Sequence, residues 1–283
     1  MALHHHHQHH HPKVLPAPEG AINLAIASLI VYAALFPLAC FIAWKHGRIG
    51  LLCWPIFMIS FVLRFITTGW RILHRDDARL SIAAARIAGG WIVSCYILSI
   101  LGIIYEAGVV LPQIASSRMR RIILASFYAV MSIGIGLTAY GGRPLPHAPN
   151  HVISPAADQL GYCLFLIAIV AIACWITWMG RRMLVYRDHE QFHNAKNMLL
   201  AAGVCVSFAG YRLIYATVYS FTRLPSLNPH TGATSTRIVL VFLLELVVTV
   251  ALCAGGWCSR GVQDEPKTCE SPEPSDEAKD TNV

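Results

Sequence analysis

Long apolar runs separated by short polar links dominate the chain. Seven of these runs are about 20 residues long, the length that an α-helix needs to cross the hydrocarbon core of a bilayer. The pattern therefore predicts an all-α protein, a polytopic membrane bundle of about seven transmembrane helices. The predicted spans are residues 21–44, 50–73, 81–106, 120–140, 157–179, 197–221 and 236–257.

The segments outside the spans differ from them in composition. The link at residues 141–155 is rich in Pro, Gly and His, which favours an irregular surface loop over an eighth helix. Residues 1–20 hold a histidine run interrupted at Gln8, and residues 259–283 are rich in Pro, Glu, Ser and Asp. We expect a disordered His-rich extracellular N-terminus at 1–20, a seven-helix transmembrane domain at 21–258 and a disordered acidic cytosolic tail at 259–283.

Basic residues lie mostly at the ends of the spans, and more of them lie on one side. If the N-terminus is outside, nine basic residues fall in cytosolic links and six on the opposite side. Cytosolic links carry an excess of Lys and Arg, so this count favours an N-out and C-in orientation. The cytosolic set is Lys45, Arg48, Arg118, Arg120, Arg121, Arg181, Arg182, Arg187 and Lys196. The opposite set is Lys13, Arg75, Arg79, Arg143, Arg223 and Arg237.

The overall composition supports the membrane class. Apolar residues make up 55% of the chain and charged residues only 13%, whereas soluble domains average roughly 25% charged residues. The net charge of +7 follows from the basic span ends, so the expected partner is the lipid bilayer and not a nucleic acid. We expect a multi-pass integral protein of the plasma membrane or an endomembrane.

A charge inside a span is costly unless it is paired or hydrated, and four charged residues within the predicted spans stand out. They are Arg64, Glu106, Arg212 and Glu245. At about 1.5 Å per residue, Arg64 and Arg212 lie roughly 21 and 24 Å from the cytosolic starts of their spans, and Glu245 lies about 15 Å below the outer end of its span. The depths predict a cluster of Arg64, Arg212 and Glu245. Glu106 at an inner helix end and Arg86 at an outer one are expected to reach the interface by snorkelling.

Further polar residues lie on the helical faces that carry Arg64 and Arg212. Such faces point to the bundle interior or to a wet cavity. One interpretation is an outward-opening pocket for an anionic or amphipathic small molecule, and the other is a structural ion-pair network that fixes helix order. The candidate site residues are Arg64, Arg212, Glu245, Thr67, Thr68, Tyr215 and Tyr219, with Arg71 and Thr222 on the same stripes.

Signs of catalysis or of a prosthetic group are few. The chain has no Gly-x-Ser-x-Gly, no Gly-rich phosphate loop and no Cys-x-x-Cys, the common hydrolase, nucleotide and zinc signatures. No lysine lies between Asn197 and Pro266 to form a retinal Schiff base, and the seventh span lacks the Asn-Pro-x-x-Tyr of rhodopsin-like receptors. We expect no catalytic residue, no metal site and no cofactor, and the balance is against an enzyme.

Two groups of residues carry a resemblance to known membrane proteins. The first group is Tyr32, Pro37, His46-Gly47, Gly50, Trp54 and Arg64. The second is the run 211–215, the run 228–232, Glu245 and Gly255-Gly256. Together they resemble a fungal family of seven-span integral membrane proteins known as domain of unknown function 7702, and this resemblance implies a topology but no activity. The Arg-x-x-Tyr arrangement in span six is more weakly similar to RTA-like lipid-translocating exporters, which implies movement or sensing of lipid-like compounds.

The leading functional interpretation is a non-enzymatic seven-helix protein that binds or senses a small amphipathic ligand in the outer half of the bundle. The alternative is a transporter or lipid exporter. A membrane-embedded enzyme is less favoured.

Overall fold

The computed structural model describes residues 19–47, 49–76, 78–111, 116–145, 148–229 and 232–259, with the backbone alone at 49, 78–88, 144–145, 148–151 and 225. Within these ranges, seven helices are long and apolar enough to cross a membrane, which confirms the predicted fold class. They are α1 (Glu19–His46), α2 (Trp54–Leu73), α3 (Ala78–Val110), α4 (Ser117–Gly141), α5 (Pro155–Met183), α6 (Phe192–Thr222) and α7 (Thr234–Cys258). The His-rich start at 1–18 and the acidic tail at 260–283 lie outside the described residues.

The link after α4 contains two short strands. β1 (Pro144–Leu145) pairs antiparallel with β2 (Ala148–Val152). The sequence predicted an irregular loop here, and that prediction was wrong because the backbone groups of the link pair with one another. Proline is tolerated in these strands because neither is the central strand of a sheet. Ser154 then caps α5 by accepting a hydrogen bond from the Ala157 amide at 3.3 Å.

Helix α3 lies at the centre of the bundle. It packs against α2, α4, α5 and α6. Of the residues in its apolar stretch, 78% are buried, compared with 22% for α4. The polar side chains of Ser94, Ser99 and Glu106 are all buried in this helix, as expected for polar groups that would be poorly tolerated by lipid.

The bundle has two ends, an N-side and a C-side. The N-side holds the start of α1 and the link between α2 and α3. The C-side holds the end of α1, the start of α2 and the end of α7. Which side faces the cytosol stays a prediction from the basic residues.

A ladder of aromatic side chains runs along α2 between these two ends. Trp54, Phe57 and Phe61 follow one another at spacings of three and four, which places them on one helical face. Their ring centroids are 5.9 Å apart for the first pair and 5.1 Å for the second. Tyr32 of α1 continues the ladder, 5.8 Å from Phe61. The buried face of α2 then continues to Arg64, so the ladder leads to a charged group.

At the C-side the ladder meets a glycine of α7. A β-carbon added to Gly256 would overlap the Trp54 ring and lie 2.6 Å from Ile42 Cγ2. Trp54 and Ile42 are both fully buried. The close approach of α7 to α1 and α2 therefore requires the absence of a side chain at this position.

We predict that Gly256→Ala lowers the free energy of unfolding by about 1–3 kcal/mol through overpacking. Gly203→Ala on α6 is the matched control, because a β-carbon there would contact nothing within 4 Å and helix propensity favours alanine by up to about 1 kcal/mol. Thermal unfolding of both variants in one detergent checks the prediction. An unchanged midpoint for Gly256→Ala would contradict the close packing.

Candidate functional site

The buried carboxylate of Glu245 lies between two guanidinium groups. Arg64 on α2 donates from Nη2 to Glu245 Oε2, and Arg212 on α6 donates from Nε to Glu245 Oε1 at 3.1 Å. The three residues are between 5% and 7% exposed. Because each comes from a different helix, the ion pairs join α2, α6 and α7 inside the bundle. The structure thus brings together the three charged residues that the sequence placed at similar depths.

Aromatic rings support both arginines. The Arg64 guanidinium carbon lies 4.1 Å from the centroid of the Tyr32 ring, and that of Arg212 lies 5.8 Å from the centroid of Tyr215. A cation over a ring contributes about 0.5–2 kcal/mol, with the larger values where water is excluded. Each guanidinium is therefore held by a carboxylate on one side and an aromatic face on another.

A cavity opens beside these ion pairs at the N-side of the bundle. Its volume is about 710 Å³, including open space at its mouth. Helices α1, α2, α3 and α7 form its walls, and Arg212 of α6 contributes to them. The large apolar and alanine side chains in the wall are Leu24, Ala25, Ile92, Val241 and Phe242.

Positive charge exceeds negative charge in the wall of this cavity. Its charged lining residues are Arg64, Arg71, Arg212, Arg237 and Glu245. Four guanidinium groups and one carboxylate leave three excess positive charges among the described lining residues. Neither Arg71 nor Arg237 has an ion-pair partner within the described part of the chain. Such a concave, positively charged surface attracts anions.

An under-wound stretch of α7 turns Arg237 towards this cavity. Residues Ile238–Leu243 form a π-helix, in which each backbone hydrogen bond spans five residues instead of four. Arg237 and Glu245 are eight positions apart, and in a regular α-helix they would point about 80° away from each other. The wider π-helical turns reduce this offset, and Arg237, Val241 and Glu245 all line the cavity. Short π-helical segments are frequent at functional sites.

Several buried polar atoms of the lining residues have no hydrogen-bond partner among the described residues. They are Nε of Arg64, Nε of Arg71, Nη1 of Arg212 and Oγ of Ser28. A buried donor without an acceptor costs about 1–3 kcal/mol, and native proteins keep such groups rare. All four residues also line the cavity beside the ion pairs.

The other predicted site residues divide between the cavity and its surroundings. Thr67 and Thr68 line the cavity beside Arg64. The Tyr215 hydroxyl points elsewhere and donates to the Leu227 carbonyl at 2.7 Å. Tyr215 therefore supports Arg212 through its ring and the link before α7 through its hydroxyl.

Tyr219 lines a second, neighbouring cavity. This cavity measures about 580 Å³ including open space, and Arg212 lines both cavities. The carboxylate of Asp158 accepts hydrogen bonds there from Arg223 and, at 3.0 Å, from Ser220. Since Asp158 offsets Arg223, the second cavity has a smaller positive excess than the first.

Glu106 does not reach the interface, contrary to the prediction. It is 1% exposed, and its Oε1 contacts Nδ1 of His46, whose Nε2 donates to the Gly256 carbonyl at 2.9 Å. The prediction was wrong because it considered α3 alone, whereas the ends of α1 and α7 cover this turn. The side chain of Arg86, also expected to snorkel, lies outside the described residues.

Sequence reasoning missed the role of His46 and of Arg237. The histidine and Trp54 lie in the first group of residues that carries the family resemblance and Gly256 lies in the second, and the three meet at the C-side. The two groups were therefore a usable signal for the contact. Arg237 was counted only as a basic residue at a span end, and no pattern in the sequence indicates the π-helix that turns it inward.

Seven apolar helices joined by buried ion pairs define a polytopic α-helical integral membrane protein. Residues 21–262 match the family described as domain of unknown function 7702, and the chain belongs to this family. No curated protein and no solved structure matches the chain. The weaker similarity to RTA-like exporters stays a prediction.

We predict that Glu245→Gln lowers the free energy of unfolding by about 3–5 kcal/mol, because it leaves two buried guanidinium groups without their counter-ion. Adding Arg64→Met should cost much less in this background than in the wild type. SDS-induced unfolding from mixed micelles measures both losses. Arg181→Gln, at an exposed position, is the control and should add independently. Additive losses for Arg64 and Glu245 would contradict their coupling.

The His46 and Glu106 contact gives a second stability prediction. His46→Ala should cost about 3–5 kcal/mol, because it strands a buried carboxylate. Glu106→Gln should cost only about 1 kcal/mol, since its amide can still donate to Nδ1 of a neutral imidazole. The same unfolding assay compares the two variants. If both variants lost the same free energy of unfolding, the hydrogen bond between position 106 and His46 Nδ1 would not be what holds the contact.

Proposed function

We propose that this protein binds a small amphipathic ligand in the cavity beside Arg64, Arg212 and Glu245, and performs no chemistry on it. One observation carries the proposal: the cavity combines buried donors that lack acceptors with an apolar wall. Ligand sites are usually concave and combine apolar surface with polar groups that orient the ligand. The cavity has both kinds of surface.

The arrangement of the wall supports a particular pose. The polar head of the ligand meets Ser28 and the arginines, which offer hydrogen-bond donors. The apolar part lies along Ala25 of α1 and Phe242 of α7, where no such donor is needed. An amphipathic molecule satisfies both parts of the wall, whereas a wholly apolar one leaves the donors without acceptors.

Sensing is the role we favour for this binding. A ligand group that competes with Glu245 for Arg212 changes the contact between α6 and α7, and both helices extend to the C-side of the bundle. A basic set lies at that side, at the end of α5, in the link before α6 and at the start of α6: Arg181, Arg182, Arg187 and Lys196. With the N-out orientation predicted from the sequence, the cavity opens outside the cytosol and this basic set lies in the cytosol.

Ala25→Phe should block the cavity, because Ala25 is a buried part of its wall. Native mass spectrometry of the protein in a mild detergent is expected to find a non-covalently bound amphipathic molecule on the wild type. Occupancy should fall at least ten-fold in Ala25→Phe. Ile30→Phe is the matched control and should retain the molecule, since Ile30 lies on the same helix, is 64% exposed and does not line the cavity.

Unchanged occupancy in Ala25→Phe would contradict binding in this cavity. The retained molecule also separates the alternatives to sensing. Its movement across vesicle membranes containing the purified protein would identify a transporter or exporter, and its chemical conversion would identify an enzyme.

A further inference from the structure

We infer that the anionic group taken by this cavity is a dianionic phosphate, either a phosphate monoester or inorganic phosphate. Arg71 and Arg237 supply the positive charge that recognises it, together with unpartnered N–H groups of Arg64 and Arg212. The inference rests on the proposed function and adds to it the chemistry of the head group.

The charges of the wall require an anion with more than one negative charge. Glu245 offsets one of the four guanidinium groups, and no other carboxylate is among the described lining residues. A carboxylate or a phosphodiester brings one negative charge and leaves two positive charges uncompensated. A phosphate monoester brings about −1.5 to −2 near neutral pH, and so offsets most of the surplus.

The available donors are also built into the fold. Arg64 and Arg212 are 7% and 6% exposed, and Glu245 and aromatic rings restrict their positions. Yet Arg64 Nε and Arg212 Nη1 have no partner among the described atoms. These donors are therefore pre-positioned before any ligand binds, which lowers the entropy cost of recognition.

The arginines reach the cavity from different directions. Arg64 and Arg71 lie two turns apart on α2, Arg212 lies on α6, and Arg237 lies on α7. A carboxylate presents two oxygens in one plane, whereas a phosphate monoester presents three terminal oxygens around a tetrahedral centre. Guanidinium groups bind such oxygens in pairs with good geometry. Donors from three helices suit the tetrahedral anion better than the planar one.

The same phosphate chemistry has two sources, a lipid head group and free phosphate, and binding measurements distinguish them. Isothermal titration calorimetry in a neutral maltoside detergent compares four compounds: dioctanoyl phosphatidic acid, dioctanoyl phosphatidylcholine, dioctanoylglycerol and inorganic phosphate. Phosphatidic acid should bind at least ten-fold more tightly than each of the other three, because only it combines a dianionic head with acyl chains.

The variant Arg71→Gln/Arg237→Gln should lower the affinity for phosphatidic acid at least ten-fold and leave that for dioctanoylglycerol unchanged. Neither arginine has an ion-pair partner among the described residues, so the fold should tolerate the change. Arg71→Lys/Arg237→Lys keeps the charges and should lose less affinity. Arg75→Gln is the control, since this side chain is 69% exposed at the same end of the bundle and outside the cavity wall.

The outcomes test the phosphate inference and the proposed amphipathic ligand separately. Equal binding of dioctanoylglycerol and phosphatidic acid, unaffected by the glutamine variant, would overturn the phosphate inference and keep an amphipathic ligand. Binding of inorganic phosphate as tight as that of phosphatidic acid would keep the phosphate and overturn the amphipathic ligand. Absence of binding by all four compounds would overturn the phosphate inference.

Discussion

The burial of one carboxylate, that of Glu245, constrains the arrangement of the whole bundle. An ionised group in a lipid-facing position has no water to solvate it, so α7 must present Glu245 to cations inside the protein. Arg64 and Arg212 supply them from α2 and α6. Because a helix turns about 100° per residue, a shift of one position in any of the three helices would separate the charges. The ion pairs therefore set both the depth and the rotation of these helices.

The same constraint leaves the cluster electrically unbalanced. Two arginines share one carboxylate, and Arg71 and Arg237 add positive charge without a described counter-ion. In a structural ion-pair network, the charges would be expected to balance and the donors to be satisfied. Here several donors are buried without acceptors, beside a cavity with apolar walls. Departures of this kind from a fully satisfied interior are expected at functional sites, where binding supplies the missing partner.

Buried charged groups are arranged differently at the two ends of the bundle. At the C-side, one imidazole and one carboxylate face each other, and close packing of Trp54 against Gly256 encloses them. At the N-side, the surplus of arginines stays beside an open space. The aromatic ladder of α2 connects the two ends, since His46 packs on Trp54 at one end and Tyr32 packs on Arg64 at the other. The C-side is thus closely packed, and the N-side is where we propose the binding site.

The sequence by itself determined the class of the protein, the seven helices and the three charges that meet. These follow from local properties, because lipid requires about 20 apolar residues per helix and makes any charge within them conspicuous. Only the tertiary structure decided that Glu106 is covered by His46, that α3 is central and that Arg237 turns into the cavity. Those outcomes depend on which helices are neighbours and on a π-helical turn. These three outcomes are set by packing between residues far apart in the chain, and a local pattern of hydrophobicity contains no information about that packing.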